Sequence, residues 1–418
     1  MAPEYEVRYR GTVLGRLADE GHGSWALRYD GPPEVAEGVP PMLSMRMPPR
    51  SKPYQGPRLQ SWLRNLLPGY GIRRLIYRKL GISEANDFAL LGAVGGDCQG
   101  AVSLHPVDDG AAPEALRRPL TDAEVRNLMA ALPEQPLLVD VEGARLTLPG
   151  EHHKLPVAKV GDQIALVFGA AASTHILKPG KLDRSESVHN EAYCMALARA
   201  VGLPVAATEL RPGSTSILLV HRVDRAPEGE DVRRIHMEDF CQLMDLPPEQ
   251  VFEREGGPRL GACADLVRRY SCTPAADLRS LVAWSVFNVL IGNGGAHAKH
   301  LALLHLPAGP RLAPFFGLQS THVYPELSER MAMTIGKEDR PDWLLAARWR
   351  NCAAEIGVKP AYVLEVLATM AAELPAIAGK AADEHRQRFG TVTVISDIKR
   401  LIERRARQAL VALQAEAA

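Results

Sequence analysis

Apolar and polar residues alternate at the start of the chain, and a period of two predicts strands. Tyr5-Glu-Val-Arg-Tyr-Arg alternates, Gly11 turns the chain, Thr12-Val-Leu-Gly-Arg-Leu resumes, and Trp25-Ala-Leu-Arg-Tyr is a third strand. A Pro-rich loop runs from Pro32 to Pro57. Leu59 to Leu67 and Ile72 to Leu80 have helical spacing, separated by Pro68-Gly69. Asp87 to Val94 leads to a turn at Gly95-Gly96, followed by the strand Ala101-Val-Ser-Leu. Pro106 to Pro119 reads as a linker rich in Asp, Ala and Pro. Thr121 then caps a helix, with Glu124 in capping-box position.

A second set of strands begins near Val139: Arg145-Leu-Thr-Leu, Leu155-Pro-Val-Ala-Lys-Val, Gln163-Ile-Ala-Leu-Val-Phe and Thr174-His-Ile-Leu-Lys. Gly161-Asp162 supplies a hairpin turn. Ser187 to Val201 predicts a helix ended by Gly202, and Ser216-Ile-Leu-Leu-Val a short buried strand. Helical spacing dominates from Asp239 onward, notably over Leu278 to Ile291 and Pro360 to Leu374. Ser396 to Glu416 predicts an amphipathic helix: Ile398, Leu401, Ile402, Leu410 and Leu413 form its apolar stripe, and Arg404, Arg405 and Arg407 a basic cluster. Strands first and helices later predict an α+β protein with a β-rich N-terminal part and a helical C-terminal lobe. The expected divisions are 1–105, a linker and helix over 106–138, a β-rich lobe over 139–220, a helical lobe over 221–375 and a helical extension over 376–418.

Composition removes several function classes. Net charge is zero, so no global field draws the chain to nucleic acid or anionic lipid. The six cysteines form no C-x-x-C pair, which leaves zinc-site spacing and a disulfide framework without support. Met1-Ala-Pro-Glu-Tyr lacks a basic and apolar signal region, and no uninterrupted apolar run reaches membrane length. A reduced, cytoplasmic protein is the expectation.

Three segments carry chemistry. Leu148-Pro-Gly-Glu-His-His-Lys154 is a turn between predicted strands, able to aim backbone N–H groups at phosphate oxygens; an ordinary β-turn reads the same way. Lys178 ends a strand, where a lysine can pair with nucleotide phosphates and with an acid on the next helix, here Glu191. A solvated strand-end lysine and a surface glutamate are the plain alternative. The third segment is Gly292-Asn-Gly-Gly-Ala-His-Ala-Lys-His300, followed by Leu312-Ala-Pro-Phe-Phe-Gly317-Leu-Gln-Ser-Thr.

With these motifs the chain resembles the HipA family, the kinase toxins of bacterial type II toxin–antitoxin pairs. That family carries N-x-D-[AG]-H-x-K-N and then L-x-P-x-Y-D. Thr174-His-Ile-Leu-Lys, Asn190-Glu-Ala-Tyr-Cys-Met-Ala-Leu-Ala, Arg222-Val-Asp-Arg, Glu238-Asp-Phe-Cys-Gln and the Arg64 to Pro68 run fit it as well. The resemblance spans the first strands to about Leu374 and implies a protein-kinase-like two-lobed fold. It implies ATP binding through Gly150, Lys154, Lys178, His221, Val223 and Asp224. His297 and Lys299 match the retained part of its catalytic loop, and Thr147 falls near its autophosphorylated serine. Implied partners are a HipB-like helix-turn-helix protein and, as substrates, aminoacyl-tRNA synthetases, with neither direct DNA contact nor a membrane.

The departures fall on the chemistry. The catalytic Asp of the family is Gly295 here, its metal-binding Asn is His300, and its second metal-binding Asp is Gly317. Phosphoryl transfer needs Mg²⁺ across phosphate oxygens and an Asp beside the attacking hydroxyl, and Mg²⁺ prefers oxygen ligands. The leading reading is a pseudokinase that binds a nucleotide or a partner. A second is a repurposed enzyme using His152, His153, His297 and His300 as bases or transition-metal ligands. A third is residual kinase activity through Glu151 or Asp224.

Overall fold

The computed structural model describes residues 3–31, 41–107, 114–181, 183–184, 186–213, 216–229 and 231–415. Parts of the expected Pro32–Pro57 loop and of the expected 106–119 linker, and Glu416 at the end of the last predicted helix, lie outside the described residues. Among the described residues the chain runs β1 (Glu4–Tyr9), β2 (Thr12–Gly21), β3 (Ser24–Tyr29), β4 (Tyr54–Gln55), α1 (Pro57–Arg64), α2 (Tyr70–Leu80), α3 (Asp87–Val94) and β5 (Val102–Pro106). Next come β6 (Leu116–Pro119), α4 (Asp122–Ala131), β7 (Leu155–Val160), β8 (Gln163–Phe168), β9 (His175–Pro179), α5 (Ser187–Ala200), β10 (Thr208–Arg211) and β11 (Ile217–His221). Then follow β12 (Arg225–Glu228), β13 (Asp231–Arg234), β14 (Met237–Asp239), α6 (Phe240–Leu243), α7 (Leu260–Tyr270) and α8 (Pro274–Ile291). The remainder is β15 (Ala302–Leu306), β16 (Gly309–Leu312), α9 (Ala346–Ile356), α10 (Pro360–Phe389) and α11 (Thr393–Gln414).

The chain divides into two compact units. Unit 1 holds Met1–Pro179, Leu219–Glu249 and Leu304–Pro310; unit 2 holds Gly180–Leu218, Gln250–Leu303 and Arg311–Ala418. In unit 1 an antiparallel sheet of order β4-β3-β2-β1-β5 buries its alternating residues, Tyr5, Val7 and Tyr9 on β1 among them, in one apolar core. Leu59, Trp62 and Leu63 of α1, Ile72 and Ile76 of α2 and Phe88 and Leu91 of α3 complete that core. A second antiparallel set joins β6 to β8, β8 to β7 and β7 to β9. The capping box at α4 is present, with Thr121 Oγ1 accepting from Glu124 N and Glu124 accepting from Thr121 N at 2.8 Å.

Four expectations change. Arg145–Leu148 is no strand: it makes an isolated bridge, Asp97 to Leu146, because Thr147 is drawn sideways into the core. Leu116–Pro119, expected in a linker, pairs with β8 as a sheet-edge strand, a place that tolerates its proline. The expected helical lobe after residue 220 begins with β12, β13 and β14 and later holds β15 and β16. The boundary expected after residue 375 falls inside α10, which is 30 residues long.

Unit 2 is helical. The helix α10 packs on α5, α8, α9 and α11, and α11 also packs on α5 and α8. By length and composition α10 would suffice to cross a membrane; here its buried positions, such as Leu367 and Leu374, face those neighbours. Pro274 opens α8 at its first turn, and Gly292 closes it in the left-handed conformation at φ +72°, which a side chain rarely adopts.

Candidate functional site

The nucleotide residues read from the sequence all fall in unit 1. Lys178 projects from β9, where Leu177 takes the buried alternate position. On neighbouring strands His175 and His221 meet edge to face, ring centroids 5.2 Å apart. Burial lowers the His221 pKa, against the pull of Asp224. Val223 is partly exposed.

Asp224 is committed elsewhere. It is 2 % exposed and accepts from Arg222 Nη2 at 2.8 Å, from Arg222 Nε at 3.0 Å and from Gly100 N at 2.7 Å. Arg225 pairs with it at 2.9 Å and with Asp97 at 2.8 Å, and Asp97 also takes Ser173 Oγ at 2.5 Å. Burial alone would raise the Asp224 carboxyl; the Arg222 and Arg225 guanidiniums hold it at about 2. Both oxygens of Asp224 are therefore spent inside the unit, in a core ion network. The Arg222-Val-Asp-Arg motif tells of a structural cross-link to residues 97–100.

The Leu148–Lys154 loop is folded onto itself and onto α2. Gly69 N donates to Gly150 O at 3.0 Å, and Lys154 Nζ donates to Pro149 O. Gly150 sits at φ +108°, and a Cβ there would lie 2.7 Å from Lys154 Nζ. The Glu151 carboxylate lies against Gly69, at the positive N-terminal end of α2. His152, His153 and Lys154 border a cleft with Pro68, Ile72 and Leu148. His153 Nδ1 is enclosed without a hydrogen-bond partner, and burial lowers its pKa. Thr147 is fully buried, and its hydroxyl donates to Leu66 O at 2.8 Å, so its oxygen is not presented as a phosphate acceptor.

Unit 2 carries the glycine-rich loop. Gly292 O accepts from Thr321 N at 2.9 Å and His322 N at 3.0 Å, which joins the two motif segments through backbone bonds. Thr321 Oγ1 accepts from Gly294 N at 2.7 Å. Asn293 Nδ2 donates to Asn288 Oδ1 at 2.7 Å, and Asn293 Oδ1 accepts from Gly295 N at 3.1 Å. On α5, Asn190 clamps Ser320 from both sides: Nδ2 to Ser320 O at 2.7 Å and Oδ1 from Ser320 N at 2.8 Å. The glycine-rich loop is thus fixed to the segment that ends at Thr321, and α5 clamps that segment at Ser320. Glu191, the expected partner of Lys178, is buried on α5.

Within that frame the expected acid positions are bare. A Cβ on Gly295 would meet only Asn293 Oδ1 at 3.5 Å and Thr321 Cγ2 at 3.9 Å, ordinary contacts. Gly317 differs. It sits at φ +67°, and a Cβ there would press on His300 Cδ2 at 3.3 Å and Nε2 at 3.4 Å. Phe316 meets the His300 ring at 6.4 Å, edge to face. Ala298–His300 is a 3-10 turn, whose three-residue period eclipses side chains three apart. His297 and His300 accordingly stack, centroids 4.2 Å apart and planes 14° from parallel, with Phe252 edge-on to His297 at 5.7 Å. Burial, then His300 and Lys299, hold the His297 pKa well below its usual value, and its Nδ1 is enclosed without a partner.

The four histidines proposed as one site fall as two pairs, His152 and His153 in unit 1 and His297 and His300 in unit 2. Stacked rings keep their in-plane lone pairs side by side, so the second pair does not converge on one ion as metal ligation requires. Among the described residues a different trio, His236, Glu238 and His305 of unit 1, lies at ligand spacing. Its atoms are occupied. His236 Nε2 meets Leu43 O at 3.0 Å, and Glu238 accepts from Trp62 Nε1 at 2.9 Å, His305 Nε2 at 3.0 Å and Met45 N at 3.1 Å. The set is a core hydrogen-bond network. Asn288 and Phe252 carry no mark in the sequence that sets them apart; only the fold brings them to the loop.

Comparison with known proteins agrees with this geometry. Residues 146–378 match the model of the HipA-like C-terminal domain, and residues 5–105 that of the HipA N-terminal domain. The putative kinase Y4mE of Sinorhizobium fredii is 38% identical over 359 residues, 84% of this chain and 85% of that protein. The serine/threonine-protein kinase toxin HipA of Shewanella oneidensis is 29% identical over 336 residues, 76% of each. The solved structure of Shewanella oneidensis MR-1 HipA, in complex with HipB and operator DNA, superposes with TM-score 0.80 at 26% identity, covering 98% of this chain and 97% of that one.

Proposed function

The chain belongs to the HipA family, and from that premise we propose that it has given up Mg²⁺-dependent phosphoryl transfer and acts by binding. The observation that carries this reading is the His300 ring against Gly317. The second acid position is crowded: the His300 imidazole lies 3.3 Å from where a Cβ would stand, and the backbone there is left-handed. Nitrogen replaces oxygen in the donor set, which suits Mg²⁺ poorly. Gly295 offers no carboxylate to take the proton of an attacking hydroxyl. The residues present do not fit the metal.

What remains is a kinase-like scaffold with a rigid loop. Lys178, His221 and Val223 of unit 1 are the residues available for a nucleotide. Of the two carboxylates that could serve residual catalysis, Asp224 is held in the core network, and Glu151 is exposed beside Gly69 at the start of α2. Because the Shewanella oneidensis relative was solved with HipB and operator DNA, a HipB-like helix-turn-helix protein is the partner class to test first.

The deciding experiment incubates the protein with labelled ATP, Mg²⁺, a synthetase panel and any small helix-turn-helix protein encoded beside it. No catalytic transfer is expected, while a complex with the latter survives gel filtration. Steady incorporation of label sinks the proposal. One observation favours a second reading: Nδ1 of His297, within the glycine-rich loop, has no hydrogen-bond partner. Turnover of a substrate without phosphate transfer, lost in His297→Ala, would replace the first reading with that one.

A further inference from the structure

The start of α5 holds three neighbours within unit 2. Glu186, at its N-cap position, accepts from Val394 N at 2.8 Å and Thr393 N at 3.3 Å, the first amides of α11. His189 Nδ1 lies 2.9 Å from His385 Nε2 of α10, and the two residues are only 8% and 9% exposed. Phe389 packs on both rings, its centroid 5.7 Å from that of His189 and 4.8 Å from that of His385. Tyr193, one turn on, donates to Ala378 O of α10 at 2.7 Å. Asn190, next to His189, carries the clamp on Ser320.

A nitrogen–nitrogen contact this short needs one N–H and one lone pair. With both rings neutral, one proton lies between the two facing nitrogens. A first added proton can enter on the outer nitrogen of the donor ring, and an imidazolium then donates to a neutral ring. A second makes both facing nitrogens donors, and the bond is lost between two cations. Burial lowers both pKa values; at His385 the His189 and Arg388 charges add to it, to about 4, while Glu186 opposes it at His189. Asp383 of α10 pairs with Arg386 at 2.8 Å, Glu403 of α11 pairs with Lys399 at 3.8 Å, and both acids face Tyr193. Charges of α8 and α9, the other neighbours of α10, are engaged elsewhere: Asp277 with Arg311, Arg279 beside Tyr362, Arg348 with Glu338 and Glu355 beside Glu253.

We propose that His189 and His385 form a proton-operated latch between α5 and the α10–α11 hairpin. Closed, the pair takes up at most one added proton. Open, each ring titrates near the ordinary value of about 6.5, and the pair takes up two. The latch is therefore complete above about pH 6.5 and is drawn open as pH falls below it. Opening frees the end of α10 and the Glu186 contact with α11. Through Asn190 it also loosens Ser320, and with it the segment that holds the glycine-rich loop. The latch is independent of the loss of phosphoryl transfer.

The test follows amide hydrogen exchange of the full chain from about pH 7.5 to about pH 5.5, where ordinary carboxylates stay ionised. Protection of residues 385–400, relative to each amide's intrinsic rate, is expected to fall about ten- to a hundredfold, for one to two protons. Ser320 should follow. His189→Gln with His385→Gln keeps a donor facing an acceptor but does not titrate, and its protection should stay constant with pH. If that double variant does not fold, His385→Gln alone replaces it, with a response limited to about one proton and shallower than that of the parent. Constant protection in the parent, or an equal fall in the Gln variant, overturns the proposal.

Discussion

His300 Nε2 would stand 3.4 Å from a Cβ on Gly317, and this contact couples two substitutions that lie apart in the sequence. Position 317 does not return alone to the family pattern without cost. An Asp at 317 must adopt a left-handed backbone and displace the His300 ring, which itself stacks on His297.

Gly317→Asp is therefore expected to destabilise the protein by about 1–3 kcal/mol, from the positive φ and the crowding together. With His300→Asn the crowding part vanishes, so a double-mutant cycle gives a coupling of about 0.5–2 kcal/mol. Gly295→Asp, with open space around it, costs about 1 kcal/mol or less. Urea unfolding measures all three. Simple additivity of 300 and 317 would contradict the contact.

The family and the loop were legible in the sequence because their signals are local. Asn293, His297 and Lys299 keep their spacing, and Gly292 marks the end of α8. Asp224 misled for the same reason. Its motif is local, but Asp97 and Gly100, which occupy the neighbourhood of its carboxylate, lie more than a hundred residues away. Arg405 read as part of a basic cluster beside the apolar stripe; its burial and its contact with His322 are visible only in the fold. The short strands β12 to β16 lack alternation long enough to register against the helical background.

Lys178 tests the nucleotide reading. A charged hydrogen bond to phosphate contributes about 1.5–3 kcal/mol, so Lys178→Ala should weaken ATP binding by roughly 10- to 150-fold in calorimetry. Chelating Mg²⁺ with EDTA should leave the affinity of the parent protein unchanged, since glycines stand at both acid positions. A strong Mg²⁺ requirement would mean that carboxylates other than those considered complete the site.

Thr147 should remain unmodified. Its hydroxyl is spent on Leu66 O at 2.8 Å inside a closed core. Exposure to an active kinase of the same family, followed by peptide mass mapping, is expected to find no phosphate there. Thr147→Val keeps the shape but orphans the Leu66 carbonyl, which costs about 1–3 kcal/mol in unfolding free energy. Stoichiometric phosphate on Thr147 would require the strand-like run 145–148 to leave its place.

Acid should destabilise unit 1 through His236. Burial, reinforced by His305, lowers its pKa to about 3, and its Nε2 is engaged with Leu43 O at 3.0 Å. The folded state refuses a proton that the unfolded chain accepts near pH 6.5. The contribution is thus complete above pH 6.5 and is lost as pH falls toward 3, at up to about 1.4 kcal/mol per pH unit. Unfolding free energies measured from pH 7 to 4.5 should fall at least that steeply, because His105, whose pKa burial also lowers, to about 4, adds to the loss. His236→Gln retains a donor for Leu43 O but does not titrate. It is expected to be less stable than the parent at pH 7 and to lose stability more slowly on acidification, by close to one proton. Parallel slopes for the two proteins would show that His236 is already charged in the fold.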